Sequence, residues 1–466
     1  LDRRWLSRGV SADVRVLGNI ELDEEQLPET HVKRELADAI RHLGEVGSLL
    51  DPDEADLAAL DAAIADADAA DLLGATLRGQ LLEARGQLEA LSRRFDVVAA
   101  NPPYMGSSSF NPFVAKWIKK RYPDSCRDLC TAFIERGMSM AKGAKLVSMI
   151  TASSWMFISS FESFRKKLLS RARITSMIQQ STHGFPYVTV PTTMFVLQLD
   201  SQNTTGCYIR LEDFDRPQWQ KPKALEAVRN PDCGWFHRAD ASTFHDIPGS
   251  PIAYWASEAM HEAFRNGTPM RSEFDAVVKG TFTGDNNRFL RLWHEVGFGS
   301  FGSKWMPYAK GGAFRRWSGN LEYVINWGNN AQELKSFPGS GLSPSKYFDR
   351  RLFCWSKISS SIASFRFYAA GTFFDDASPA FVIGTHDELR QARLAFLNSS
   401  CAQSMLTLIA PTLNYQAGDM ALLPYIASSP SISEHIESLT DSNIDLSKAD
   451  WDSQETSWDF KRNPLI

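Results

Sequence analysis

The sequence predicts an α/β protein with a Rossmann-like sheet in its first half and a separate α+β domain after it. Short β-branched apolar runs alternate with helical patterns between about residues 95 and 199. Strands that alternate with helices of this length are typical of an α/β sheet with crossover connections. After about residue 215 the alternation ends, and Trp, Phe, Gly and Ser become frequent. This change predicts a second domain of short strands and loops.

Residues 1–94 are predicted to be a mainly helical segment that leads into the sheet. A short strand is expected at residues 14–17. Apolar residues then recur three or four positions apart, as on one face of a helix. They form three stripes: Val32, Leu36, Ile40 and Leu43; Leu57, Leu60 and Ile64; and Leu77, Leu81, Leu88 and Leu91. Between residues 51 and 71 there are eight acids and no Lys or Arg, which we interpret as a solvated helical face.

Four strands are predicted in the sheet. They span residues 95–100, 145–151, 173–178 and 192–199, with helices at 129–141 and 159–170. The alternation therefore defines one domain at residues 95–215. It is followed by a second domain at residues 216–425 and by a helical tail at residues 426–466.

Composition limits the classes of protein that need to be considered. The apolar share is 43% and the charged share 23%, which is typical of a folded chain. A net charge of −5 excludes a protein that is basic over its whole surface, so only a local basic surface could hold DNA. No stretch has the ~20 apolar residues that cross a membrane, and we expect a cytoplasmic protein. Since the first residue is not Met, we expect a fragment of a longer chain.

The six cysteines form no regular framework. Cys126 and Cys130 are four residues apart, with no second Cys or His pair nearby that would complete a zinc site. We therefore expect free thiols, which agrees with a reducing compartment, and no bound metal.

The most informative motif is the sequence Asn101-Pro102-Pro103-Tyr104, which follows the first predicted strand directly. A chance match of this length in such a chain arises on the order of once per thousand. The alternative interpretation is a Pro-Pro turn that only ends the strand. The position favours function, because α/β sheets bind their ligands at the carboxyl ends of the strands.

These residue types suit the methylation of an exocyclic amine. Such an amine is a poor nucleophile, since its lone pair is delocalised into the ring. Hydrogen-bond acceptors against both amino hydrogens free the lone pair, and the Asn101 side chain and the Pro102 carbonyl can supply them. Pro103 stiffens the loop, so that the acceptors need no reorganisation. Tyr104 offers a flat ring that can stack on a base rotated out of a duplex.

Two parts of the expected site are less well defined. Phe195, in the last predicted strand, is our candidate for a second stacking face, and an ordinary core phenylalanine is an equally good interpretation. A glycine-rich turn that would receive the methyl donor S-adenosylmethionine is not found before residue 101. We expect that cofactor motif upstream of Leu1, and we expect the fragment alone to be inactive.

Several longer segments resemble the PglX family, the adenine-specific DNA methyltransferases of BREX phage-defence systems. The resemblance runs from about residue 40 to the end of the chain. It is carried by FDVVAANPPYMG, YPDSCRDLCTAFIERGMSMAKGAKLVSMITASSWMF, VPTTMFVLQL, KGTFTGDNNRFLRLW, PYAKGGAFRRWSGNLEYVINW, LNYQAGDMALLPY and ETSWDFKRNPLI. The resemblance implies that residues 95–215 are the later half of a catalytic domain and that 216–425 recognise the target. It implies double-stranded DNA as substrate, and other defence proteins or a phage inhibitor as further partners.

A local basic surface is predicted within the second domain. Between residues 265 and 320 there are nine Lys or Arg against four Asp or Glu, the reverse of the overall balance. Aromatic and glycine residues lie between them, and such a mixture can hold a nucleic acid. The residues expected to contact DNA are Asn286, Asn287, Lys304, Lys310, Arg315 and Arg316. The alternative is that these residues are ordinary solvent-exposed side chains that bind no ligand.

Other functions remain open at this stage. The same loop could methylate a glutamine side chain in protein, whose amide poses the same lone-pair problem, although a long domain after the sheet argues for a duplex reader. A specificity module without catalysis agrees with the missing cofactor turn. The methyltransferase part of a fused restriction enzyme is a further alternative, although no Asp…Glu-x-Lys nuclease cluster is visible.

Overall fold

The computed structural model divides into two compact units, Leu1–Ser242 and Thr243–Ile466. It describes residues 13–22, 31–67, 72–187, 189–201, 203–342, 345–359, 362–384, 391–410 and 414–462. The domain boundary predicted at 215/216 is wrong. Residues 216–242 belong to the first unit because their helix and strand complete its sheet.

In the described part of residues 1–94, four helices precede the sheet: α1 (Arg34–Arg41), α2 (Leu43–Val46), α3 (Glu54–Asp66) and α4 (Leu72–Ser92). The apolar stripes predicted from the sequence form one buried cluster, to which the later helix α5 (Pro112–Arg121) also contributes. Helix α3 begins with a capping box, in which the Asp53 carboxylate accepts from the Asp56 backbone N–H at 2.8 Å. The strand predicted at residues 14–17 is wrong: residues 13–22 contain no strand, and Val14 and Val16 are exposed.

A six-stranded sheet forms the centre of the first unit. Its strands are β1 (Phe95–Ala100), β2 (Ala141–Ala152), β3 (Ala172–Gln180), β4 (Thr192–Leu199), β5 (Thr205–Leu211) and β6 (Phe236–Asp240). Besides α5, its helices are α6 (Leu129–Met140), α7 (Glu162–Arg171) and α8 (Pro217–Arg229). The four predicted strands and both predicted helices are confirmed. Strands β5 and β6 were not predicted, because Gly206 and Cys207 dilute the pattern of β5, and β6 is short and polar.

The strand order is β1-β2-β4-β3-β5-β6. Strands β1 and β2 are parallel, and β4 lies antiparallel between β2 and β3. Strand β5 is parallel to β3, and β6 is antiparallel to β5. The carboxyl ends of β1, β2 and β3 therefore meet the start of β4 at one edge of the sheet. This edge is where an α/β sheet binds its ligands.

The described residues of the second unit form two four-stranded sheets and a two-stranded one. The first has the order β14-β10-β11-β9, the second β13-β12-β15-β8, and the third pairs β16 with β7. These strands are β7 (Thr268–Pro269), β8 (Ala276–Val278), β9 (Leu290–Leu292), β10 (Trp305–Ala309), β11 (Tyr323–Asn326), β12 (Leu352–Trp355), β13 (Phe365–Tyr368), β14 (Phe373–Phe374), β15 (Ala380–Val382) and β16 (Pro424–Tyr425). The prediction of short strands and loops is confirmed for this part of the chain.

Seven helices accompany these sheets in the described part of the second unit. They are α9 (Glu258–Asn266), α10 (Asn286–Phe289), α11 (Gly328–Ser336), α12 (Gln391–Leu397), α13 (Ser400–Ile409), α14 (Ala417–Met420) and α15 (Pro430–Asp452). The long helix α15 is the helix expected in the tail. Across the described ranges of the whole chain, no helix combines the length and the apolar character that a membrane span requires.

Candidate active site

The sequence Asn101-Pro102-Pro103-Tyr104 leaves β1 at the ligand-binding edge of the sheet and lines an open cavity of about 950 Å³. A volume of this size is typical of small-molecule sites. Asn101 is exposed and Pro102 is buried. The loop therefore presents the Asn101 side-chain amide to the cavity, while Pro102 packs into the protein. The full lining is Asn101, Pro102, Pro103, Tyr104, Ile150, Phe185, Pro186 and Thr192.

Backbone hydrogen bonds hold this loop against the start of α6. The Leu129 N–H donates to the Met105 carbonyl at 3.0 Å, and the Ser107 N–H donates to the Arg127 carbonyl at 2.9 Å. A bridge between Gly106 and Asp128 lies between them. Because the downstream end of the loop is fixed in this way, its acceptor groups keep their positions without a ligand. Such preorganisation is what electrostatic catalysis requires.

Tyr104 has both an exposed ring and a polar contact within the loop. Its side chain is 37% exposed, and its hydroxyl donates a long hydrogen bond of 3.4 Å to the Asn101 Oδ1. Partial burial raises the pKa of the Tyr104 phenol above its usual range. The phenol is therefore neutral near pH 7, and the ring can act as a stacking face rather than as a base.

The structure does not bring Phe195 to this cavity, so its prediction as the second stacking face is wrong. The residue is 2% exposed and lies in the middle of β4, opposite Met149 and Met177. Its ring packs edge-on against Trp155, with 5.6 Å between the ring centroids. Phe195 is therefore an ordinary core phenylalanine, the alternative that the sequence left open.

Phe185 is the aromatic residue that sequence reasoning missed. It lies in the segment between β3 and β4 and lines the cavity together with Pro186. The sequence contains a usable signal, because Gly184-Phe185-Pro186 follows β3 at the same sheet edge as the Asn101–Tyr104 loop. Only the strand order shows that the two segments meet, since β4 returns between β2 and β3.

The segment that carries Phe185 is held on its other side by the β5–α8 connection. His183 donates its backbone N–H to the Asp215 carboxylate at 3.2 Å, and its Nδ1 lies 2.9 Å from the same carboxylate. The hydrogen bond to His183 lowers the pKa of Asp215. A Cβ on Gly184 would lie 3.0 Å from the Gln180 side chain and 3.1 Å from the Ser181 carbonyl. The position of Phe185 is therefore set by its neighbours.

The basic residues predicted to contact DNA differ in their surroundings. Lys304 is exposed and lines a polar cleft of the second unit. Lys310 lies over the Tyr323 ring, 4.8 Å from its centroid. Arg315 is tied to helix α15, because its guanidinium lies 2.8 Å from the Asp450 carboxylate and over the Trp451 ring. This ion pair assigns Arg315 a structural role, which weakens the prediction that it contacts DNA.

The remaining predicted contacts divide in a similar way. Arg316 lies over the Phe314 ring, 5.5 Å from its centroid. Asn286 and Asn287 are exposed at the start of α10. The Asn286 side chain accepts from the Thr283 hydroxyl at 2.7 Å, whereas the Asn287 carbonyl accepts from the Arg291 guanidinium. The predicted set is thus partly available to a ligand and partly engaged within the unit.

Comparison with known proteins finds a family model that matches part of this chain. Residues 53–185, which include the Asn101–Tyr104 loop, match the family of Eco57I restriction-modification methylases.

Two curated relatives are similar to a longer part of the chain. The adenine-specific methyltransferase PglX of Lacticaseibacillus casei is 37% identical over 401 residues, which is 81% of this chain and 33% of that protein. The adenine-specific methyltransferase BrxX of Escherichia coli O9:H4 is 35% identical over 391 residues, 81% of this chain and 31% of that protein. The resemblance predicted from the sequence is confirmed: over four-fifths of its length the chain is homologous to these adenine-specific methyltransferases. It spans about a third of their length.

The fold has a solved counterpart. The Type IIL restriction-modification enzyme MmeI, determined in complex with DNA, aligns with a TM-score of 0.51 and 13% identity. The alignment covers 79% of this chain and 51% of MmeI. At this identity the likeness concerns the fold alone, and it agrees with a mixed α/β chain.

Proposed function

We propose that this chain carries the catalytic loop and the target-recognition region of a site-specific DNA adenine-N6 methyltransferase of a BREX-type defence system. One observation carries the proposal: Asn101-Pro102-Pro103-Tyr104 and Phe185 line the same cavity. Two aromatic faces beside two hydrogen-bond acceptors are what a base rotated out of a duplex requires. In this function residues 95–242 contribute the later half of a Rossmann-like methyltransferase domain.

The loop acts by holding acceptors where the amino hydrogens of adenine arrive. The Asn101 side-chain oxygen takes one hydrogen and the Pro102 carbonyl the other, so that the amine lone pair becomes available. Since proline has no N–H, Pro102 and Pro103 bring no competing donor and restrict the backbone. Tyr104 and Phe185 hold the base between their rings. The amine is then the nucleophile without a side-chain base.

The cavity also agrees with S-adenosylmethionine as the methyl donor. It has room beyond a single base, and its walls combine apolar and aromatic groups with the Asn101 amide. When bound, the donor supplies an electrophilic methyl group. Ile150 and Thr192, on the β2 and β4 side of the cavity, are the residues of this chain that would lie beside it. Because the chain spans about a third of its curated relatives, the tests below use the natural protein that contains it.

The proposal is tested with Asn101→Ala in the natural protein. We expect single-molecule sequencing of host DNA to detect N6-methyladenine with the wild type and none with the variant. Removing one preorganised polar group typically lowers a rate by about 10²–10³-fold. Ser108→Ala is the matched control, since Ser108 is exposed in the same loop and does not line the cavity. DNA binding is expected to stay unchanged.

Labelled methyl transfer distinguishes the alternatives. Incorporation of the label into protein and not into DNA would support glutamine methylation. Sequence-specific DNA binding without any transfer by the wild type would support a non-catalytic specificity module. Either result contradicts the proposed function.

A further inference from the structure

A polar cleft of about 610 Å³ lies in the second unit, where strands β10 and β11 meet helix α11. We call it the amide cleft because side-chain amides dominate its polar groups. The cleft is lined by Ser303, Lys304, Asn326, Gly328, Asn329, Gln332, Glu333 and Ser336. The sequence predicted a DNA contact for only one of these residues, Lys304.

The backbone beside the cleft has an unusual conformation. Asn329, Asn330 and Ala331 all lie in the left-handed region, with φ of 49°, 55° and 58°. Residues other than glycine keep this conformation only where the surroundings enforce it. Here Ala331 is 1% exposed and its N–H donates to the Trp327 carbonyl at 3.1 Å. The turn that presents Asn329 is thus held from inside the unit.

Packing beneath the turn supplies that support. The Trp327 ring stacks on Phe373, with 3.9 Å between the ring centroids. Leu334, one helical turn further on, is fully buried in the same cluster. The left-handed turn and the helical residues after it are therefore fixed by buried apolar side chains, and their exposed polar side chains line the cleft.

The charges around the cleft favour an anionic ligand. Glu333 is engaged by Arg288, whose guanidinium lies 2.8 Å from its carboxylate. Lys304 is exposed and, among the groups that line the cleft, its charge is left without a carboxylate partner. Residues 286–336 hold seven Lys or Arg against three Asp or Glu. A polyanion such as DNA is thus attracted to this part of the second unit.

The amides are the groups that can discriminate between ligands. The Asn326 side chain is committed, since its oxygen accepts from the Gly328 N–H at 3.2 Å. Asn329 and Gln332 are exposed, and neither side-chain amide hydrogen-bonds to another described residue. An amide offers one donor and one acceptor in a fixed arrangement, which matches the N6 and N7 atoms of adenine in the major groove. A polar lining of this kind does not suit an apolar ligand.

We propose that the amide cleft reads a base pair of the target DNA. Asn329 and Gln332 contact the base edge, and Lys304 contacts a neighbouring phosphate. This inference rests on the proposed function and extends it, because it names residues that determine the recognition sequence. Side chains at these positions can be exchanged while the buried face of α11 stays unchanged.

The experiment selects bound duplexes from a random DNA pool, which measures specificity without catalysis. Gln332→Ala and Asn329→Gly are made in the natural protein. Glycine suits the left-handed backbone, so Asn329→Gly removes only the amide. Lys335→Ala and Asn330→Gly are the matched controls, because both residues are exposed on the same helix outside the cleft lining. We expect the two test variants to lose discrimination at one position of the selected sequence, by roughly tenfold or more.

A second variant tests the phosphate contact. Lys304→Gln is expected to weaken binding to all sequences alike and to lower the salt dependence by about one phosphate contact. The inference is overturned if Gln332→Ala and Asn329→Gly both select the wild-type sequence, or if the wild type selects no sequence. Loss of the proposed function would show differently, as selective binding by a wild type that transfers no methyl group.

Discussion

The proposed catalytic loop and the amide cleft both present side-chain amides, but they are built in different ways. The loop is four consecutive residues with two prolines, and backbone hydrogen bonds hold the residues directly after it against the start of α6. The amide cleft combines the residues before β10, the end of β11 and the first turns of α11. A methyl transfer has one fixed geometry, and it suits acceptors that stand on a short, rigid piece of backbone. Recognition is served by exchangeable side chains on a scaffold fixed from below.

The comparison extends to the aromatic residues around the catalytic cavity. Phe185 faces the cavity, whereas Phe195 supports the sheet beneath it. The two can be distinguished by which property a truncation changes. The predictions below begin with this pair.

The largest effect is expected from Phe195→Ala compared with Phe185→Ala. Phe195 is fully packed, so its truncation should lower the free energy of unfolding by about 3–5 kcal/mol. Phe185→Ala should leave stability nearly unchanged and lower adenine methylation, since it removes one face of the base site. Thermal unfolding and single-turnover methylation measure the two properties separately. Equal loss of stability in both variants would remove the distinction.

A smaller effect is expected at Tyr104. Stacking of a base on an aromatic ring contributes about 1–3 kcal/mol, so Tyr104→Ala should lower methylation by roughly ten- to a hundredfold. Tyr104→Phe is the control and should retain most of the activity, because the hydroxyl makes only a 3.4 Å contact to Asn101. If Tyr104→Phe were as inactive as Tyr104→Ala, the hydroxyl and not the ring would be the important group.

The two basic residues Lys304 and Arg315 test the division within the predicted DNA surface. Arg315→Ala should leave the salt dependence of DNA binding unchanged and lower stability slightly, because its partner is Asp450. Lys304→Gln should lower the salt dependence of DNA binding and leave stability unchanged. Titration of binding against salt concentration checks both. If Arg315→Ala lowered the salt dependence of DNA binding, Arg315 would belong to the DNA-binding surface after all.

The smallest effect is expected at Asp215, which positions the Phe185 segment through His183. Asp215→Asn should lower methylation a few-fold, with little change in DNA affinity. Because the folded state lowers the pKa of Asp215, its stabilisation is present above the unfolded pKa of about 3.9 and is lost as pH falls through the lower folded value. The difference in melting temperature between wild type and variant should therefore shrink as the pH falls below 4.

Much of the first unit follows from local sequence. Strand β4 was predicted with its observed ends, since Thr192–Leu199 is an uninterrupted run that suits a buried strand. The loop at Asn101 could be placed because two consecutive prolines lack the N–H groups that the interior of a sheet requires. The domain boundary predicted at 215/216 was wrong because no local pattern marks the last strand of the sheet. Strand β6 is short and polar, and only its pairing with β5 makes it part of the sheet.

The sequence by itself identified the residues proposed to do the chemistry, because their requirements are local: an amide, two prolines and an aromatic ring in one run. It also determined the relationship to adenine-specific methyltransferases, which rests on many short matches. Only the tertiary structure decided which distant residues join them. The antiparallel return of β4 brings Phe185 to Asn101 and buries Phe195, and the packing of Trp327 and Ala331 forms the amide cleft. Such contacts depend on strand order and packing, which no local pattern contains.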